Sequence, residues 1–153
     1  MKKKKVEFPL AYEVRIQYVR PVLDSMYRIR CSAESHELIM KYIGDLSLDY
    51  KEYVWILTLS RSNRVLGISL ISTGSVFGTI VSISEIAQLS LLRNASAVVL
   101  IHNHPSGNLV FSEPDKRLTQ QIRMALKLFE ILLLDHLVIT TEGYVSMADE
   151  GLM

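Results

Sequence analysis

The sequence has little cysteine and almost no imbalance of charge. Cys31 is the only cysteine among 153 residues, which excludes an internal disulfide and any zinc cluster built from several thiolates. A single thiol also suits a reducing compartment. The formal net charge is +1 at pH 7, so the overall charge provides no electrostatic argument for nucleic-acid binding.

Long apolar runs are also missing. The longest candidate, residues 131–134, is bounded by Glu130 and Asp135 and is far shorter than the ~20 residues that a membrane helix needs. Residues 2–5 are all lysine, but residues 6–9 are too polar to begin the apolar core of a signal peptide. We therefore expect a cytoplasmic protein without a membrane helix and with a solvated basic tail.

What the sequence does contain is the composition of a folded domain. Hydrophobic residues make up 49% and charged residues 22% of the chain, which argues against disorder. Residues 12–19 alternate between apolar and polar types up to Pro21, as in a half-buried strand. We predict a basic tail with an accessory strand over residues 1–30 and one compact α/β domain over residues 31–153.

The periodicity of the apolar residues predicts a mixed β-sheet sandwiched by helices. The long helix that begins at Pro114 is expected to bury Leu118, Ile122, Ala125, Leu126 and Phe129. The predicted elements are a helix capped by Ser32 and ended by Gly44, a hairpin of residues 52–59 and 65–71, a short strand at 79–82, a helix from Ser82 through Leu92, a buried strand at 97–101, the long helix, and a final hairpin of residues 137–140 and 144–147.

Two histidines stand at the carboxyl end of the predicted buried strand. Side chains alternate along an extended backbone, so the imidazoles of His102 and His104 project to the same side and can converge on one point. Two such histidines alone are ordinary polar residues about as often as they are metal ligands. Further ligands are therefore needed to support a metal site.

The start of the long helix supplies a carboxylate near these histidines. Residues 105–108 are rich in turn formers and reverse the chain, which returns Ser112 and Asp115 toward the strand end. Asp115 is also an ordinary first-turn carboxylate, and Ser112 an ordinary N-cap. Two imidazoles, one carboxylate and an open fourth position predict a catalytic zinc site, because structural zinc sites close all four positions with protein ligands.

The spacing His-x-His, seven residues, Ser, two residues, Asp resembles the JAMM (MPN+) metalloprotease superfamily. The string H-N-H-P-S-G-N, followed by Asp135-His136 and by Y-V-S at residues 144–146, resembles its RadC branch over residues 47–152. Phe111 departs from the pattern, since a proline commonly precedes the serine, and Pro114 lies inside Ser-x-x-Asp. The resemblance implies a three-layer, cytidine-deaminase-like architecture, a Zn²⁺ cofactor and hydrolysis of a peptide or isopeptide bond.

The resemblance also implies roles for two further residues. Glu52 matches the position of the catalytic glutamate of the JAMM family, and Ser112 matches the serine that hydrogen-bonds an oxyanion. Glu85 is the rival base, but its spacing from Ser82 is that of a capping box, which is a structural role. We favour Glu52, whose alternative is a solvated charge at a strand edge.

Two other features of the sequence involve histidines. Asp135 and His136 are interpreted either as a pair that orients a ligand imidazole or as a hydrogen-bonded element of the core. His36, between Ser35 and Glu37 on the first helix, is predicted to face solvent.

RadC-like proteins are traditionally labelled DNA repair proteins. The alternative to a hydrolase is therefore a non-enzymatic nucleic-acid-associated or scaffold module, for which we find no basic aromatic surface in the sequence. Nucleic acid is a weakly supported partner, and the sequence makes no prediction about the oligomeric state.

Overall fold

The computed structural model describes residues 27–74 and 80–153. The predicted accessory strand at residues 12–19 lies outside this part of the chain. The elements are α1 (Ser32–Ile43), β1 (Tyr53–Leu59), β2 (Val65–Thr73), α2 (Ile83–Leu92), β3 (Ala97–Asn103), α3 (Glu113–Lys127), β4 (Leu132–Ile139) and β5 (Tyr144–Ser146).

The strands form one mixed five-stranded sheet, as predicted, in the order β2-β1-β3-β4-β5. β1 is antiparallel to β2 and β3, while β3 and β4 are parallel. A parallel pair requires a crossover connection, and α3 provides it. All seven residues of β3 are buried, which is why its sequence is almost continuously apolar rather than alternating.

The two faces of the sheet pack against different helices. Odd-numbered residues of β1 and β3, such as Trp55 and Val99, form a core with Ile39 of α1. Even-numbered residues, such as Ile56 and Leu100, form a second core with the buried apolar side chains of α2 and α3. The fold therefore has three layers, with α1 on one face of the sheet and α2 and α3 on the other.

Several predicted details are wrong. The short strand predicted at residues 79–82 is absent from its described part, residues 80–82, where Ile80 is 94% exposed and so does not pack on the sheet. The N-cap of α1 is Cys31 rather than Ser32. Phe129 is largely exposed, since α3 ends at Lys127 and the chain turns before this ring could reach the core.

β4 begins at Leu132, five residues earlier than predicted, because its pairing with β3 starts with the pair Ala97 and Leu132.

Among the described residues, no helix combines the length and the apolar character needed to cross a membrane.

Candidate metal centre

Three side chains converge where β3 ends and α3 begins. His102 Nε2 lies 2.9 Å from His104 Nε2 and 3.2 Å from Asp115 Oδ1, and His104 Nε2 lies 3.5 Å from Asp115 Oδ2. Ligands at zinc distances of 2.0–2.1 Å in a tetrahedron are separated by about 3.3 Å. This group can therefore hold a metal ion, and its spacing suits a small tetrahedral one.

The elements that bear these residues explain the convergence. His102 and His104 are two residues apart in extended backbone, and the chain at His104 is held to β4 by its N–H, which donates to the Ile139 carbonyl. The turn that follows closes with Gly107 N–H donating to the His104 carbonyl, at a positive φ of 76° that favours glycine. The chain then runs directly back to the start of α3.

Ser112 fixes the orientation of the Asp115 carboxylate. The Ser112 main-chain N–H and hydroxyl both donate to Asp115 Oδ2, at 2.7 and 2.6 Å. In return the Asp115 N–H donates to Ser112 Oγ, which completes a capping box at the N-terminus of α3. The predicted N-cap role of Ser112 is confirmed, and its hydroxyl stands at the edge of the metal-ligand group.

His104 presents the correct nitrogen to a metal. Its Nδ1 lies 2.7 Å from the main-chain carbonyl oxygen of Asn108. A carbonyl only accepts hydrogen bonds, so the proton of the neutral ring must be on Nδ1. The lone pair is therefore on Nε2, the atom that faces His102 and Asp115.

A chain of three hydrogen bonds orients His102 in the same way. Thr119 Oγ1 donates to the main-chain carbonyl of Asp115 at 2.8 Å, so it accepts from His136 Nδ1, which is 2.6 Å away. His136 Nε2 is then an acceptor for His102 Nδ1–H at 2.7 Å. We call this chain, from Asp115 through Thr119 and His136 to His102, the His102 relay.

The His102 relay leaves the lone pair of His102 on Nε2, toward the site. It requires a neutral His136. Complete burial, reinforced by the nearby His102, holds the pKa of His136 well below its usual range. The imidazole therefore stays neutral at physiological pH.

The electrostatics of the group favour a bound cation. Burial opposes ionisation of Asp115, but its interactions with His102, His104 and Ser112 outweigh burial and hold the pKa of this carboxyl below its usual range. Hydrogen bonding with Asp115 raises the pKa of His104 against the effect of burial. An ionised carboxylate is thus ready as a ligand, and the raised pKa of His104 means that a metal ion competes with a proton for this imidazole.

Glu52 lies beside this group, just before the start of β1. It is half-buried and shares a cleft with Asp49, His104, Ser106 and Ser112. Burial raises the pKa of Glu52, and the two histidines of the metal-ligand group oppose this. Glu52 therefore lines the same cleft as the candidate ligand His104 without belonging to the ligand triad.

Glu85 has a different environment. It is exposed in the first turn of α2, where its N–H donates to Ser82 Oγ at 3.2 Å. The predicted cap at Ser82 is confirmed, and Glu85 does not line the cleft that contains Glu52.

Comparison with known proteins agrees with this geometry. The family described as RadC-like JAB domain matches residues 29–152. This chain belongs to the RadC family. It is 37% identical to a UPF0758 protein of Flavobacterium johnsoniae over 82% of the chain and 53% of that protein, and 33% identical to a UPF0758 protein of Coprothermobacter proteolyticus over 99% of the chain and 65% of that protein. The chain thus spans between half and two thirds of the length of these relatives.

Of Asp135 and His136, only His136 contacts a candidate ligand, as the ligand-orienting interpretation of the pair predicted. Asp135 does not contact a candidate ligand. It accepts hydrogen bonds from the Ser146 hydroxyl at 2.6 Å and from the Ala148 N–H at 3.0 Å, and so holds the C-terminal segment. The His136 ring therefore reaches the candidate ligand His102, while the Asp135 carboxylate also accepts from the His136 main-chain N–H at 2.7 Å.

The prediction that His36 faces solvent is wrong. The ring is half-buried and stacks on Tyr144 at a centroid distance of 4.5 Å, and burial lowers its pKa. Polar neighbours in sequence were a poor guide, because Ser35 and Glu37 lie on other sides of α1.

Thr119, Asn108 and Asn103 were missed by the sequence analysis as supports of the site. Thr119 stands four residues after Asp115, so helical spacing could have placed it over the first turn of α3. Asn108 acts through its main-chain carbonyl, for which residue type carries no signal. Asn103 stands between the two histidines, at the position that the pattern His-x-His leaves unspecified.

Proposed function

We propose that this RadC-like JAB domain is a zinc-dependent hydrolase that cleaves a peptide or isopeptide bond. The observation that carries the proposal is the placement of Glu52 beside a ligand group whose nitrogens present their lone pairs to one point. Two imidazoles and one carboxylate leave the fourth zinc position open, which is the pattern of catalytic rather than structural sites.

Zinc bound by His102, His104 and Asp115 would lower the pKa of a coordinated water to about 7 and polarise the scissile carbonyl. Glu52 takes a proton from the attacking water and delivers it to the leaving amine. A carboxyl whose pKa is raised by burial is suited to both steps, because it holds a proton more readily than an exposed glutamate. Ser112 supplies a hydroxyl at the helix start that can hydrogen-bond the oxyanion when it rotates away from Asp115 Oδ2, to which it donates in this structure.

The surroundings of the site support this substrate class. The cleft is bounded by the exposed loop of residues 105–110, including Ser106, Asn108 and Val110. Such an open cleft admits an extended chain as well as a small molecule. A peptide or isopeptide segment therefore fits this site better than a ligand that needs an enclosed cavity.

The test compares two glutamates. Glu52→Gln is nearly isosteric, so the variant should keep its fold and its zinc while turnover of a peptide or isopeptide panel falls by at least ~10²-fold. Glu85→Gln is the control, and should cost at most about 1 kcal/mol of stability, with normal turnover of the folded fraction. Zinc content and melting temperature are measured for both variants. Loss of turnover in Glu85→Gln with normal turnover in Glu52→Gln would refute the assignment of the base.

A further inference from the structure

Asn103 stands between the two candidate histidine ligands but points the other way. Successive side chains of a strand project to opposite faces, so His102 points toward α3 while Asn103 points into the α1 side of the sheet. Asn103 is fully buried. An amide in such a position needs hydrogen-bond partners for both of its N–H groups and for its oxygen.

All of those partners belong to one short segment. Asn103 Nδ2 donates to the main-chain carbonyls of Leu48 and Lys51, at 2.6 and 2.7 Å. Asn103 Oδ1 accepts from the Tyr53 main-chain N–H at 2.7 Å. These three bonds leave neither N–H group of the amide unpaired, and each of them ends on the chain around Glu52.

The bonds hold the two peptide groups that flank Glu52. The Lys51 carbonyl belongs to the peptide before Glu52, and the Tyr53 N–H belongs to the peptide after it. The Glu52 carbonyl, in that second peptide, accepts from the Gly74 N–H at 2.8 Å. With both peptide planes held, the direction of the Glu52 side chain from its Cα is determined by these contacts.

The position of Asn103 in the sheet makes this arrangement necessary. Main-chain pairing between β1 and β3 ends at Val54 and His102, so beyond that pair no ladder bond from β3 reaches the segment before β1. The Asn103 side chain supplies the hydrogen bonds to this segment that main-chain pairing with β3 does not.

We propose that Asn103 is a positioning residue. It fixes the position of Glu52 relative to His102 and His104, the candidate metal ligands that flank Asn103 in the sequence. The inference rests on the proposed function, in which Glu52 is the general base. The tripeptide His102-Asn103-His104 then couples both parts of the site, with its histidines toward the metal and its asparagine toward the base. A small shift of Glu52 would matter, because displacement of a catalytic group by about 1 Å can cost ~10²-fold in rate.

The test is Asn103→Asp, which keeps the shape of the side chain but replaces both N–H donors with an acceptor facing the Leu48 and Lys51 carbonyls. In this variant we expect one zinc per chain and a kcat about 10²-fold lower with KM little changed. Aspartate keeps the oxygen that accepts from the Tyr53 N–H, so the exchange test uses Asn103→Ala, which removes it and should speed amide hydrogen exchange of Tyr53 by about tenfold or more. Asn103→Ala introduces no charge and serves if the first variant does not fold. Thr58→Val is the matched control, since Thr58 is an equally buried polar residue on β1 whose bonds go to Gly67 and Arg93.

The outcomes separate the positioning role from other roles. Loss of zinc in either variant, or faster exchange with normal kcat, would overturn the proposal, as would an equal loss of kcat in Thr58→Val. If the zinc-loaded parent hydrolyses nothing, the proposed function fails, and hydrogen exchange alone decides whether Asn103 holds Glu52. In the unsubstituted protein the Tyr53 amide should exchange as slowly as that of Trp55 in β1. Exchange at the rate of an exposed amide would by itself refute the proposal that Asn103 holds the chain at Glu52.

Discussion

Replacement of Thr119 by valine should weaken zinc binding although Thr119 contacts no ligand side chain directly. Its side chain is 4% exposed, and valine has almost the same shape, so packing changes little. The substitution removes the acceptor for His136 Nδ1–H at 2.6 Å. His136 must then either leave a buried donor unpaired or move its proton to Nε2.

Both outcomes carry a cost that can be estimated. An unpaired buried donor costs ~1–3 kcal/mol. A proton on His136 Nε2 points at His102 Nδ1 and makes that nitrogen an acceptor, which shifts the His102 proton to the nitrogen that should bind the metal. Loss of a group that orients a ligand typically lowers metal affinity by 10–100-fold, which corresponds to ~1.4–2.8 kcal/mol. The two estimates agree, and we expect a 10–100-fold weaker zinc affinity.

The assay is competition for zinc with a chromophoric chelator of known affinity. Thr119→Ser keeps the hydroxyl and should bind zinc nearly as tightly as the parent. Thr58→Val deletes an equally buried hydroxyl whose residue pairs with Val98, near the opposite end of β3, and should lower the melting temperature without changing zinc affinity. Parental affinity in Thr119→Val, or equal weakening in Thr119→Ser, would show that the His102 relay does not orient the ligand.

Three further predictions concern the site and its partners. His104→Ala should lose stoichiometric zinc, so full zinc by elemental analysis of this variant would remove His104 from the ligand set. Turnover should fall as pH is lowered through the pKa of Glu52, because the carboxylate is the working base. Burial raises that pKa above the usual 4.5, so the loss should begin at a higher pH than for an exposed glutamate, and Glu52→Gln should lack this limb of the pH profile. DNA binding measured by fluorescence anisotropy should be weak, nonspecific and dependent on the lysines at residues 2–5; tight binding that survives their deletion would favour the nucleic-acid module.

The candidate ligands could be predicted from the sequence because local rules determine them. Alternation in a strand brings His102 and His104 to one side, and helix-capping chemistry places Ser112 and Asp115 in the first turn of α3. Both rules act over a few residues, so neither depends on how distant parts of the chain pack. Periodicity likewise predicted a mixed sheet packed between helices, and the resemblance to the JAMM superfamily implied its three layers.

The supporting residues depend on contacts between distant segments, which periodicity does not specify. Asn103 and Glu52 are 51 positions apart in the chain, and nothing in the pattern His-x-His indicates that the middle residue holds the base. Likewise His36 stacks on Tyr144 from the other end of the domain, and a local polar context predicted solvent instead.

The placement of His136 shows most clearly what only the tertiary structure decides. The β3–β4 register shifts between Val98 and Val99, so that Leu133 pairs with the first and Asp135 with the second. Leu134 is the extra residue. Leu133 packs on the α2 and α3 side and Leu134 on the α1 side. Strict alternation from Leu133 would direct His136 toward α1, but one inserted residue exchanges the two faces of a strand. The bulge therefore turns His136 toward His102, and it arises from pairing between two strands rather than from the sequence of either one.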